Sequence, residues 1–256
     1  ASLRIAVIEA GHSLEKRHCP IDGDKVKTCI KCKSCSIMSG FGGAGAFSDG
    51  KLNTGTKDPR HRFILEELVS CGAPESILVD AKPHVGTDML HITLKNMRKK
   101  LLSLGADIRF GHRLEGIETR QGQLTGISVA HGEEIYALPV RNLILALGHS
   151  ARDTVERLYG QGLFMEAKPF AVGVRIEHLQ SRMDAVQYKE YAGHPALPVS
   201  SYKLSCHLPD GRGVFSFCVC PGGQVVAAAS EPRRTVTNGM SEDARSGENI
   251  NVGLLV

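Results

Sequence analysis

Cys29, Cys32 and Cys35 form a C-x2-C-x2-C run, with Cys19-Pro20 upstream. Three thiolates at this spacing can wrap one corner of an iron–sulfur cubane, and a remoter fourth Cys followed by Pro often completes such a site. Zinc is the other metal that four thiolates hold, although four-cysteine zinc sites usually pair two separate C-x2-C knuckles. The spacing puts a metal site at Cys19, Cys29, Cys32 and Cys35 first, with a 4Fe-4S cluster ahead of zinc. Unliganded thiols and a disulfide are the alternatives. Cys218 and Cys220 are a second pair; at i and i+2 of a strand their side chains share a face. Read alone, they are small buried hydrophobes.

Directly after the first cysteine run, "SGFGGAGAFSDGKLN" places Gly40, Gly42, Gly43, Gly45 and Gly50 within eleven residues. Successive glycines let backbone N–H groups approach a ligand and form anion-binding concavities. A phosphate or a flavin edge is the natural guest, and a linker is the bland alternative. Lys51 follows Gly50, but no Walker A spacing is present. Glu9 ends "RIAVIEAG" as an acidic residue does where it meets the adenosine ribose of a dinucleotide; an acid that merely follows a strand is the other reading. "LILALGHSARD" reads as a buried strand running into a turn at Gly148, where open α/β sheets bind ligands. Arg175 and His178 are weaker candidates, since such residues are more often a paired surface arginine and a strand-end histidine. No Ser-His-Asp or paired-carboxylate arrangement stands out.

The elements that must position these residues follow from pattern. "LRIAVI" (3–8) predicts a parallel strand buried on both faces. Residues 19–53 predict irregular structure. Helices are expected over 59–72, 88–104 (capped by Thr87 or Asp88 and ended by Gly105) and 150–158. "ADIRF" predicts a strand. The segment 114–140 predicts three short strands turning near Gln121-Gly122 and His131-Gly132. "NLILALG" (142–148) predicts another buried strand. Beyond Lys168, "FAVGVRIEH", "GVFSFCVC" and "QVVAAAS" predict a mixed or antiparallel layer. The alternation of strands and helices points to an α/β parallel sheet with an inserted meander.

Composition narrows the function classes. The chain has 256 residues, 42% hydrophobic and 23% charged, which suits one large or two modest globular domains. A net charge of +4, no Trp and only the small basic knots Arg98-Lys99-Lys100 and Arg233-Arg234 argue against nucleic acid. No apolar run reaches the ~20 residues that span a bilayer. The apolar start is too short for a span and is interrupted by Arg4 and Glu9; lacking the shape and cleavage site of a signal peptide, it is not expected to be one. A cytoplasmic location is the expectation, and clustered cysteines there suggest metal or redox chemistry.

The stretches "VIEAG", "GFGGAGAFSDGKLN", "AKPHVGTD", "LALGHSARDT", "KPFAVGVRIEH", "FCVCPGG", "AAASE" and "TNGMS" span nearly the whole chain. In them the sequence resembles the uncharacterised FAD-dependent dehydrogenase family, allied to the glutathione-reductase-like FAD and NAD(P) oxidoreductases. The resemblance implies an α/β fold: an incomplete Rossmann-like FAD-binding domain with an inserted β-meander over 1–166, and a mixed α+β substrate domain over 167–256. It implies FAD as cofactor. Glu9 would meet the adenosine ribose and Arg17 would lie near that half. Gly42, Gly43, Ala44, Ser48, Asp49, Gly50 and Lys51 would line the pyrophosphate and flavin. Leu114 would offer backbone to adenine, and Leu147, Gly148 and His149 would close over the dinucleotide. Cys218 or Cys220 would lie near the flavin, and Arg175, His178 and Cys220 are the weak catalytic candidates. Against the family pattern, the sequence lacks a first strand with its glycine fingerprint and a closing flavin segment, so an internal fragment is expected.

The function implied is an FAD-dependent oxidoreductase acting on a small-molecule substrate or redox partner, with NAD(P)H as a candidate donor and an iron–sulfur relay as an addition. A metal-binding or electron-carrier module without catalysis, and a tRNA-modifying flavoprotein, are the alternatives.

Overall fold

The computed structural model describes residues 3–21, 26–32, 34–53, 56–229, 231 and 233–256. They form a mixed α/β structure with several sheets and few helices. The chain divides into two compact units woven from alternating segments: 1–43, 98–168 and 230–232 in one, and 44–97, 169–229 and 233–256 in the other. One of these changes falls between Lys168 and Pro169. The earlier changes carry the second half of the glycine segment, from Ala44, into the second unit.

In the first unit, strand β1 (Ala6–Glu9) pairs in parallel with β2 (Asp107–Phe110), in the register Ala6↔Asp107 to Glu9↔Phe110. The expectation of a strand buried on both faces is corrected. Among the described residues β1 pairs along one edge, and it is half-exposed to exposed. The expected meander forms as β3 (His112–Arg120), β4 (Gln123–His131) and β5 (Glu134–Pro139), in that order. Gln121 (φ 53) and Gly122 (φ 75) close its first turn with two positive φ angles, as a two-residue hairpin demands. Helix α3 (Arg152–Gly160) contributes Leu158 to a core with Leu114, Ile127 and Val129.

The buried strand expected over 142–148 does not form. Ile144 is 90% exposed there, and only Leu143 and Leu147 pack against the core. An apolar run becomes a buried strand only where neighbours accept its backbone hydrogen bonds, and no described strand pairs with this one.

In the second unit, α1 (Arg60–Ser70) and the first part of α2 (Thr87–Ser103) enclose a core of Ala73, Ile77 and Val85. The helix ends as expected: Ala106 N–H reaches back to the Leu101 carbonyl and Gly105 N–H to that of Leu102, with Gly105 at φ 84. Thr87 does not act as the cap; it begins the helix, and its hydroxyl donates to the Ser48 carbonyl.

The layer beyond Lys168 is antiparallel. Its four strands are β6 (Gly173–Leu179), β7 (Ser205–His207), β8 (Gly213–Cys220) and β11 (Asn249–Leu255), in the order β6-β11-β8-β7. A separate pair joins β9 (Gly223–Ala227) to β10 (Thr237–Ser241). Ser230, the last residue of the strand expected at "QVVAAAS", lies outside the described residues. Helix α4 (Gln180–Tyr188) follows β6, and β11 supplies Ile250 and Val252 to a core with Val219.

Candidate functional site

Two groupings of the nominated residues emerge, one in each unit. In the first, β1 delivers Glu9 to a close approach of two glycine backbones. Glu9 Oε1 accepts the N–H of Gly11 at 2.6 Å and of Gly40 at 3.1 Å. A Cβ on Gly11 would lie 2.7 Å from Gly40 Cα, so only glycine lets the two segments meet.

Arg17 is 2% exposed and binds the entering loop. Its Nε donates to the Ser36 carbonyl (2.8 Å), Nη1 to Phe41 (2.7 Å), and Nη2 to Ile37 and Gly43 (both 2.9 Å). Burial pulls its pKa down to about 10, against Glu9 and Cys35, which push it up, so it remains charged at neutral pH. These four bonds give the side chain a positioning role. Gly42 (φ 87) and Gly43 (φ 58) follow in left-handed conformation, and a Cβ on Gly43 would meet no atom of the described residues within 4 Å beyond its chain neighbours.

The second grouping is electrically richer. Residues 49–52 run beside 83–86: Gly86 N–H donates to the Asp49 carbonyl, Val85 to Gly50 and Leu52 to Pro83. Asp49 is 1% exposed. Its Oδ2 accepts Lys51 Nζ at 2.6 Å and Arg245 Nη2 at 2.9 Å, and Ser241 donates its hydroxyl to Oδ1. Burial alone pushes this carboxyl up; Lys51, Ser241 and Arg245 outweigh it and hold the pKa below the ordinary carboxylate range. Gly50 (φ 67) bonds Ser48 Oγ through its N–H.

Lys51 Nζ also reaches Cys220 Sγ at 3.8 Å, and Cys220 Sγ lies 4.0 Å from Cys218 Sγ. The i, i+2 spacing thus brings the two sulfurs together. They sit at a bulge in β8, where the register against β11 shifts between Asn251 and Gly253 and Cys218 takes φ 50. Arg175, from β6, donates through Nη1 to the Cys218 carbonyl (3.3 Å) and to Asn251 Oδ1. The Cys220 hydrogen bond, then Lys51 and Arg175, lower the Cys218 pKa to about 5 despite burial; Cys220 is pushed up by the same hydrogen bond and by burial. Within the pair the thiolate is thus favoured at Cys218 and the thiol at Cys220. Asn251 is fully buried, and its Nδ2 has no partner among the described residues.

The remaining nominated residues lie elsewhere. Leu114 is core, with its carbonyl accepting Thr154 Oγ1 at 3.4 Å. Leu147 packs against that core, while Gly148 (φ 69) and His149 are exposed. Ala44 opens a short 3-10 turn. His178 meets the Tyr202 hydroxyl at 3.0 Å, with the rings stacked. None of the eight cysteines is in a disulfide. Among the described residues no three His, Cys, Asp or Glu side chains converge to hold a metal ion, so Cys19, Cys29, Cys32 and Cys35 are not brought into one site. The Cys35 end of that run is fixed by the Ser36 and Ile37 carbonyls on Arg17.

Sequence reading missed Ser241, Arg245, Asn251 and Gly239. Only the quoted "TNGMS" hinted at two of them. A Cβ on Gly239 would overlap Arg175 Nη1 and Asn251 Oδ1. Gly239→Ala should therefore displace Arg175 and lower stability by about 2 kcal/mol, read from urea unfolding; an unchanged midpoint would show that the guanidinium relaxes freely.

Residues 169–256 match the family model described as "FAD-dependent protein, C-terminal domain-like". That stretch carries Arg175, Cys218, Cys220, Gly239, Ser241, Arg245 and Asn251, and its similarity is to flavoproteins. The chain is also similar to an uncharacterized protein of Clostridium beijerinckii (strain ATCC 51743 / NCIMB 8052), 45% identical over 251 residues, which are 98% of this chain and 46% of that protein. The chain thus spans about half the length of the curated relative it matches. No described helix is long and apolar enough to cross a membrane.

Proposed function

We propose that the chain belongs to an FAD-dependent oxidoreductase acting on a small molecule. The observation that carries this reading is the match of 169–256 to an FAD-dependent family. The residues of the first unit fit a dinucleotide. Glu9 is oriented through Oε1 by the Gly11 and Gly40 N–H groups, so that Oε2 would accept a ribose hydroxyl. Beside Gly43, backbone in left-handed conformation borders open space, which suits a pyrophosphate. This half would take the Rossmann-like role that the sequence suggests. When bound, the flavin supplies the hydride and electron transfer, while the protein supplies orientation and electrostatics.

The residues of the second unit have their own tasks. Asp49 holds Lys51 Nζ and Arg245 in place. Lys51 and Arg175 present positive charge at the sulfur pair, which favours a substrate bearing negative charge.

A visible spectrum of the anaerobically purified full-length protein tests the reading. A flavin band at about 450 nm that bleaches on adding NADH or NADPH is expected. A colourless protein that takes up no added FAD would overturn it, and a yellow protein unmoved by either nucleotide would remove the nicotinamide donor alone. The cysteine-run cluster is tested in the same sample: iron with broad absorbance at about 400 nm supports it, and zinc without iron removes it.

A further inference from the structure

Thiols that serve as apolar filler have aliphatic neighbours and no net charge. Cys218 and Cys220 have the opposite setting. Lys51 Nζ lies 3.8 Å from Cys220 Sγ, with Asp49 behind it, and Arg175 reaches the Cys218 carbonyl. The sulfurs are 4.0 Å apart, at a bulge in β8. Access differs within the pair: Cys218 is half-buried and Cys220 has no exposed surface.

We propose that Cys218 and Cys220 form a thiol–disulfide exchange centre that reduces low-molecular-weight disulfides, with Cys218 as the attacking sulfur and Cys220 as the resolving one. Cys218 thiolate attacks one sulfur of R–S–S–R′. That S–S bond breaks, R′–S⁻ leaves, and a Cys218–S–S–R mixed disulfide forms. Cys220 gives its proton to the departing R′–S⁻ and attacks the Cys218 sulfur, expelling R–S⁻. The two cysteines lose two electrons and become a disulfide; the substrate gains them and becomes two thiols. One turnover needs no flavin, so the proposal stands or falls separately from the cofactor reading. Lys51 and Arg175 favour disulfides that carry carboxylates, because their positive charge attracts anions and stabilises the leaving thiolate.

The probe is 5,5′-dithiobis(2-nitrobenzoic acid), a dicarboxylate disulfide, added at pH 6 to the reduced full chain. Two equivalents of thionitrobenzoate should leave in a fast phase, and peptide mapping should find a Cys218–Cys220 bridge, lighter than the dithiol by two hydrogens. Lys51 and Arg175 beside the pair favour its thiolate, so Cys218 should react roughly tenfold faster than the exposed Cys206. In Cys220→Ser the fast phase should halve, with one label retained on Cys218. The proposal is overturned if Cys218 reacts no faster than Cys206, or if mapping of the unsubstituted chain finds no 218–220 bridge. The second criterion holds even where the serine variant does not fold.

Discussion

Asp49→Asn should lower the unfolding free energy by about 3 kcal/mol, because it leaves Lys51 and Arg245 without their shared anion beside a buried site. The full cost of breaking a buried pair is discounted here, since both cations keep some exposure. Asparagine preserves the shape and one acceptor, so the loss reports charge and not packing. The pH dependence follows from the lowered carboxyl. A group whose folded pKa lies below its unfolded value of ~3.9 contributes fully above that pH. Its contribution is lost as pH falls through the folded value. Urea midpoints from pH 7 down to acid should therefore fall more steeply for the parent chain than for Asp49→Asn. Parallel curves would remove Asp49 as the source.

Arg17→Met should cost at least as much, of order 3–5 kcal/mol by analogy with an orphaned buried ion. The guanidinium donates to four carbonyls between Ser36 and Gly43, and methionine fills the volume while donating to none. Unmet buried acceptors each cost about 1–3 kcal/mol. Arg17→Lys should recover only part, because an ammonium cannot reproduce the planar fork. Hydrogen exchange across residues 36–43 separates this local cause from general unfolding: the loop should lose protection while β3–β4 keeps it. Uniform loss across the chain would contradict the clamp.

Both predictions turn on contacts that sequence reading could not reach. Arg17 binds backbone carbonyls 19 to 26 positions downstream, and carbonyls carry no sequence signature. Asp49 meets Ser241 and Arg245 across 192 and 196 positions. What was legible was local. The meander could be read because Gln121-Gly122 and Gly132 punctuate alternating segments. Helix α2 could be read because Thr87-Asp88 and Gly105 bracket a periodic run, and the sulfur pair followed from a period of two. The segment 142–148 misled because apolar content reports a wish to be buried, whereas a strand needs partners to bond. β11 was missed although "NINVGLLV" is rich in strand formers, and α4 was missed because "QSRMDAVQY" carries few apolar residues to mark a face. In the first cysteine run, spacing permits convergence without enforcing it.

The backbone at Cys218 has a consequence for what this position would accept. An L residue at φ 50 sits in a region that costs roughly 1–2 kcal/mol, a cost that glycine does not bear. Cys218→Gly would recover that backbone share while deleting the sulfur. Screening for heat resistance should accordingly drift position 218 toward glycine, and screening for thiol reactivity should hold it at cysteine. The bulge in β8 is thus a point where durability and chemistry ask for different amino acids.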